Sequence, residues 1–213
     1  MGIKKNLKKL RNSIPKEIVL VAVSKTKPIS DILEAYESGQ KIFGENKVQE
    51  LEKKYSKLPS DIKWHMIGHL QSNKVKYIAP FISLIHAVDS LKLLKEINKR
   101  AKQNNRIINC LLQVNIASEK TKFGFEIYEI YEILDESSNL ENICVRGLMG
   151  MATYTEDKSQ LNSEFAKINN LFKKIKNKKI NILSTGMSGD YKLAINNGST
   201  MIRIGSTIFG NRN

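Results

Sequence analysis

The chain has 213 residues, 41% of them hydrophobic, which is enough for a packed core and far from the composition of a disordered chain. Its formal charge of +14 would suit nucleic acid or an anionic membrane surface. The lysines, however, are spread along the whole chain, arginine is scarce where bidentate recognition would favour it, and no apolar run is long enough to span a bilayer, which argues against both partners.

Met1 to Lys16 lacks the apolar segment of a signal peptide and reads as an amphipathic helix with Leu7, Leu10 and Ile14 on one face. Ile18 to Val23 is an unbroken apolar run, the pattern of a strand buried on both faces. Pro28 keeps Lys27 out of the helical region, so the strand ends before it and leaves Lys25 at its carboxyl end. A helix over Ile29–Ser38 stops at Gly39. Then come a strand over Lys41–Gly44, a charged helix over Lys47–Lys57 closed by Pro59, a strand over Lys63–Gly68 and a helix over His69–Ala79 stopped by Pro80. Ser83–Val88 is the fourth strand, and Asp89 or Ser90 caps a helix running to about Gln103.

Ile107–Ile116 is the fifth strand, followed by a polar turn over Lys120–Gly124 and a helix over Glu126–Ser137. The sixth strand, Ile143–Met149, leads through a loop over Gly150–Glu156 into the longest helix, Lys158–Asn177, whose apolar residues recur at helical spacing. Its basic end, Lys173–Lys179, suits the negative end of the helix dipole. Ile180–Ser184 is the seventh strand, Gly186–Gly189 turns into a helix over Asp190–Asn197, Thr200–Gly205 is the eighth strand, and Ser206–Asn213 remain.

Eight strands alternating with helices allow a wholly parallel sheet and suggest one domain over residues 1–213, a (β/α)8 barrel of the TIM type with an extra N-terminal helix. An open doubly wound sheet is the alternative, but no GxGxxG fingerprint or Walker loop is present. Cys110 and Cys144 lie in apolar runs and read as buried thiols, which points to the cytoplasm. His65, His69 and His86 are dispersed, and no cluster has metal-ligand spacing.

A barrel gathers the carboxyl ends of its strands on one face. Those ends are Lys25, Asn46, His65–His69, Asp89, Asn115, Met149–Met151, Gly186–Ser188 and Arg203–Ser206. Gly186-Met187-Ser188-Gly189 and Gly205-Ser206-Thr207 are small, hydroxyl-bearing turns at strands seven and eight, where such barrels often hold a phosphate. Each turn alone is ordinary turn composition. Arg203 reads either as a barrel arginine paired with Asp89 or Glu45, or as a donor aimed at a ligand heteroatom. Lys25 reads either as the first solvated residue after a strand or as an amine that forms a Schiff base with a carbonyl, with Lys27 as a neighbouring cation that lowers its pKa. Taken together, these describe a pocket for a phosphorylated aldehyde.

Several motifs carry a family resemblance. They are Ala22-Val23-Ser24-Lys25-Thr26-Lys27-Pro28, Phe43-Gly44-Glu45-Asn46-Lys47-Val48-Gln49-Glu50 and Trp64-His65-Met66-Ile67-Gly68-His69-Leu70-Gln71-Ser72-Asn73-Lys74. Further on come Lys122-Phe123-Gly124, Arg146-Gly147-Leu148-Met149, Gly186-Met187-Ser188 and Arg203-Ile204-Gly205-Ser206-Thr207-Ile208-Phe209-Gly210. Over nearly its full length the chain resembles the pyridoxal-phosphate homeostasis proteins, whose barrel is similar to the N-terminal domain of alanine racemases. The resemblance implies pyridoxal 5′-phosphate bound to Lys25 as an internal aldimine, with its phosphate on Ser188 and on Gly205, Ser206 and Thr207. It places Arg203 at the pyridine nitrogen, which it keeps unprotonated, weakening the ring as an electron sink, and it places Asn46 and His65 along the ring. Lys47 stands at a variable position and Ser206 replaces a common threonine.

The function implied is cofactor homeostasis without robust catalysis: buffering free pyridoxal phosphate and delivering it to apo-enzymes, with a monomer expected. An amino-acid racemase is the second reading. Racemases of that family pair the lysine with a tyrosine from a second domain, and this sequence runs only eight residues beyond Gly205, so that domain is not expected. A basic nucleic-acid-binding domain is the third, supported by charge alone.

Overall fold

The computed structural model describes residues 2–118 and 123–210. Eight parallel strands close into a barrel in chain order, the first paired with the last. They are β1 (Val19–Val23), β2 (Ile42–Glu45), β3 (Lys63–Met66), β4 (Leu84–Val88), β5 (Ile108–Val114), β6 (Ile143–Gly150), β7 (Ile182–Ser184) and β8 (Met201–Ile204). After α1 (Ile3–Asn12), one helix follows each strand: α2 (Ile29–Glu37), α3 (Val48–Tyr55), α4 (Val75–Ile78), α5 (Leu91–Gln103), α6 (Ile130–Ser138), α7 (Lys158–Ile175), α8 (Tyr191–Asn196) and α9 (Ser206–Phe209). Parallel neighbours need such crossovers, so the alternation read in the sequence is what the closed sheet requires. The open-sheet alternative is thereby set aside.

The strands bury two apolar layers. Val21, Leu84, Leu111, Met149 and Met201 fill the lumen, flanked by Val19, Ile42 and Ile182. Alternate residues such as Phe43, Trp64, Ile85, Leu112 and Ile202 join the larger cluster that includes the helix residues Ile32, Leu51, Leu94, Phe165 and Ile168. A strand buried on both faces must be apolar throughout, which is why β1 carries no polar alternation. Gly147 sits where β6 meets β7. Its φ is +153°, and a Cβ there would lie 1.8 Å from the Ile182 carbonyl oxygen. Glycine is the residue that fits that approach.

The elements depart from the sequence expectation in four places. The helix expected over His69–Ala79 shrinks to a 3-10 turn at Ser72–Lys74 running into α4. Leu70 is buried, and the His69 imidazole is held by Asp89 at 2.8 Å and stacked on Phe123, so the chain crosses the rim extended before it can coil. α1 ends at Asn12, where the Ser13 hydroxyl donates to the Leu10 carbonyl. Cys144 is half-buried, whereas Cys110 is fully buried and burial pushes its thiol pKa up; both are free. Ser206–Phe209, over which the sequence predicts no element, form α9. Lys120 and Lys122 of the expected turn and motif lie outside the described residues. Among the described residues no helix is long and apolar enough to cross a membrane.

Candidate functional site

Val19 and Val21 belong to the lumen cluster, and the period-two alternation of β1 carries Val23 and Lys25 to the same side. Ser24 N–H donates to the Gly44 carbonyl at 3.1 Å, so the pairing with β2 continues past the last assigned residue. The chain then reverses. Lys27 N–H donates to the Ser24 carbonyl at 3.0 Å, and Thr26 has a φ of +66°. A positive φ at the third residue marks a type II turn, with Lys25 at its second corner. Lys25 is half-buried there.

A cluster of charges backs this turn from the helix side. Lys54 is 5% exposed, and its ammonium donates to the Ser24 carbonyl (2.7 Å), Glu45 Oε1 (2.8 Å) and Glu50 Oε1 (2.7 Å). The Ser24 hydroxyl donates to Glu45 Oε1 at 2.5 Å, and Thr26 N–H donates to Glu50 Oε1 at 2.6 Å. Burial raises the pKa of Glu45 despite the Lys54 charge beside it, and its second oxygen has no protein partner among the described residues. The residues flanking Lys25 are thus bonded on both sides. Lys27 turns away: its amine donates to the Phe209 carbonyl at 3.0 Å.

The second half of the rim comes from β7 and β8. Arg203 N–H donates to the Gly186 carbonyl at 3.0 Å, and Gly205 N–H donates to Ser188 Oγ at 3.2 Å, which locks the two turns together. Ser206 and Thr207 begin α9, and the first amides of a helix have no acceptor within it. Both side chains are exposed. A Cβ on Gly205 would lie 3.3 Å from the Val23 carbonyl oxygen, so the end of β8 abuts the end of β1 just before the Lys25 turn. Asn46 is half-buried at the end of β2. Gly68 gives it room, because a Cβ there would come within 2.6 Å of the Asn46 carbonyl oxygen.

Below the rim a polar chain crosses the lumen. Arg203 is 4% exposed; its Nη1 donates to Ser184 Oγ (2.7 Å) and to the Ser184 carbonyl (2.8 Å), and its Nη2 donates to the Gly150 carbonyl (3.1 Å). Ser184 Oγ lies 3.1 Å from His86 Nδ1, and His86 Nε2 lies 3.0 Å from His65 Nδ1. Burial, reinforced by the Lys63 charge, pushes the His65 pKa down to about 3. Burial pushes His86 down as well, helped by His65 and Arg203. Burial also lowers Arg203 to about 10, against the opposing charge of Asp190. Neither carboxylate expected to pair with Arg203 does so. Asp89 holds His69, and Glu45 faces Lys54 behind the turn, because strand alternation points it outward.

Lys25, Asn46, Ser188, Gly205, Ser206 and Thr207 thus come together on one rim, with Arg203 and His65 one layer down. Lys25 and Arg203 are basic, and the hydroxyls and first-turn amides are donors, whereas Glu45 and Glu50 are held by Lys54 behind the Lys25 turn, Asp89 by His69, and Asp190 by the Met187 amide. Such a donor set fits an anionic ligand with a carbonyl, and it fits the phosphate and aldehyde of pyridoxal phosphate. Among the described residues no cluster of His, Cys, Asp or Glu could hold a metal ion. Ser184, His86, Glu50 and Lys54 are the functional-site neighbours that sequence reasoning missed.

Comparison with known proteins agrees with this chemistry. The family model for the N-terminal domain of alanine racemase matches residues 2–213. A pyridoxal phosphate homeostasis protein of Haemophilus influenzae is 40% identical over 203 residues, covering 92% of this chain and 86% of its own. PipY of Synechococcus elongatus is 34% identical, with 98% of this chain and 100% of that chain covered; its TM-score is 0.93 without pyridoxal phosphate and 0.88 with it bound. Alanine racemase of Clostridium difficile shares the fold alone, with a TM-score of 0.81 at 14% identity over 99% of this chain and 56% of that one.

Proposed function

The chain belongs to the alanine racemase N-terminal domain family and, within it, to the pyridoxal phosphate homeostasis proteins, and from that premise we propose that it binds pyridoxal 5′-phosphate and maintains its supply. The observation that carries this reading is the junction of β1 and β8, which sets the Lys25 turn against the Gly205–Thr207 cradle. Lys25 Nζ is the amine that captures the carbonyl. Ser188, Gly205, Ser206 and Thr207 take the phosphate, Asn46 and His65 line the ring, and Arg203 stands at the ring nitrogen. The cofactor supplies a reactive aldehyde, and a lysine amine holds an aldehyde reversibly. A reversible hold suits a buffer that passes cofactor on to apo-enzymes, a reading in keeping with the word homeostasis in the name of the Haemophilus influenzae relative, and we assign no robust catalysis. On this reading residues 1–213 act as one domain and as a monomer, and free thiols at Cys110 and Cys144 suit the cytoplasm. Adding cofactor to the purified chain should give a visible absorbance that is lost in Lys25→Ala. Borohydride reduction and peptide mapping should mark Lys25, and a label elsewhere would overturn the assignment. Amino-acid racemisation at rates near those of dedicated enzymes would favour the racemase reading instead.

A further inference from the structure

The turn that presents Lys25 is built from an unfavourable residue. Position three of a type II turn calls for glycine or asparagine, yet Thr26 occupies it at a φ of +66°. A β-branched side chain in the left-handed region persists only where its surroundings over-determine it. Three hydrogen bonds do so here. Glu50 Oε1 accepts the Thr26 N–H at 2.6 Å, Lys54 holds Glu50 at 2.7 Å, and the same ammonium holds the Ser24 carbonyl at 2.7 Å. Glu50 and Lys54 are one helical turn apart on α3, so a rigid helix grips the backbone on both sides of Lys25.

From this geometry we infer that Glu50, anchored by Lys54, is the positioning residue for Lys25. By accepting the Thr26 amide it holds the turn in its left-handed form and so aims the Lys25 side chain from the end of β1 toward the rim. A carboxylate accepting a backbone amide is a strong contact. A neutral amide oxygen in its place keeps the acceptor but loses the ion pair with Lys54. Glu50→Gln therefore separates the hydrogen bond at Thr26 from the charge that pairs with Lys54, and the positioning is assigned to the hydrogen bond. The inference rests on the proposed role of Lys25 as the carbonyl-capturing amine.

The test compares Glu50→Ala with Glu50→Gln in the full chain. Glu50 is partly exposed on α3, and thermal melts of both variants establish that they fold. In the cofactor-free protein, Thr26 amide hydrogen exchange should speed up about tenfold in Glu50→Ala and stay within about threefold of wild type in Glu50→Gln. With pyridoxal 5′-phosphate as the probe, the rate of absorbance gain and of borohydride labelling at Lys25 should fall about tenfold in Glu50→Ala and recover in Glu50→Gln. Unchanged exchange in Glu50→Ala would overturn the inference, as would equal losses in the two variants. If wild type itself gives no label at Lys25, the proposed function fails, and the exchange comparison alone then decides whether Glu50 holds the turn.

Discussion

Ser184 and His86 are 98 residues apart in the chain and meet in the lumen with 3.1 Å between Oγ and Nδ1. Arg203 can only donate, so the Ser184 oxygen accepts from it, and the buried hydroxyl proton is left for His86 Nδ1. His86 then carries its proton on Nε2 and donates to His65 Nδ1, which leaves the His65 proton on Nε2. The direction of these bonds follows from satisfying every buried donor.

Ser184→Ala should destabilise the fold by about 1–3 kcal/mol, because it strips an acceptor from buried Arg203 and a donor from buried His86 at once. Urea unfolding measures it. A change below about 0.5 kcal/mol would mean the lumen chain is not a continuous network.

The two lumen histidines should make the protein acid-sensitive. Their pKa values are lowered in the folded state, to about 3 for His65, while the unfolded chain takes up protons near pH 6.5. Above that value neither state binds them and no penalty exists. As pH falls below it the unfolded state gains protons that the folded state cannot, so stability falls by up to about 1.4 kcal/mol per pH unit for each histidine. His86→Gln keeps an acceptor and a donor in place and removes one titrating group. Its urea midpoint should fall less steeply between pH 7 and pH 5 (roughly the window the unfolded value sets). Parallel pH profiles for the two proteins would contradict the assignment.

The cradle makes a prediction about ligand chemistry. Ser188→Ala should weaken binding of pyridoxal 5′-phosphate about tenfold while leaving unphosphorylated pyridoxal unaffected, since one donor to the phosphate is worth about that much. Absorbance titrations of both ligands check it, and equal losses would place the phosphate elsewhere.

Gly147→Ala should abolish cooperative folding or cost more than about 4 kcal/mol, because its Cβ would meet the Ile182 carbonyl oxygen at 1.8 Å. Gly210→Ala is the control: its φ is +79° and its ψ 173°, a backbone region that glycine alone readily adopts, but nothing lies within 4 Å of the added carbon, so only the backbone cost of about 1–3 kcal/mol applies. Thermal melts of the two variants separate crowding from strain.

Much of this architecture was legible in the sequence. The apolar run of β1, the turn signals and the strand count are local features, and they gave Lys25, Ser188 and Gly205–Thr207 their places on one face. What escaped depends on register. Ser184 and His86 look like stray polar residues in apolar strands until β4 and β7 face each other across the lumen. Glu50 and Lys54 at helical spacing look like an ordinary solvated pair, and only the approach of the β1 turn buries Lys54. Of the two readings of Arg203, the pairing with Glu45 fails for the same reason: period-two alternation sends Glu45 outward while Arg203 points inward. Helical propensity over His69–Ala79 lost to burial of Leu70 and the side-chain bonds of His69.

The pairing of β1 with β8 joins Val19–Ala22 to Met201–Ile204. The captured aldehyde and its phosphate would therefore be gripped from opposite ends of the polypeptide, across the seam that shuts the barrel. A molecule that bridges a seam reports on closure: it binds only when the first and last strands have met, and by mass action it favours that state over any frayed one. Joining those strands is the strand pairing of longest sequence separation in the barrel, so its loop-closure cost is the largest of the eight. Cofactor held at the proposed site would then act as a thermodynamic latch, and its removal would release that latch.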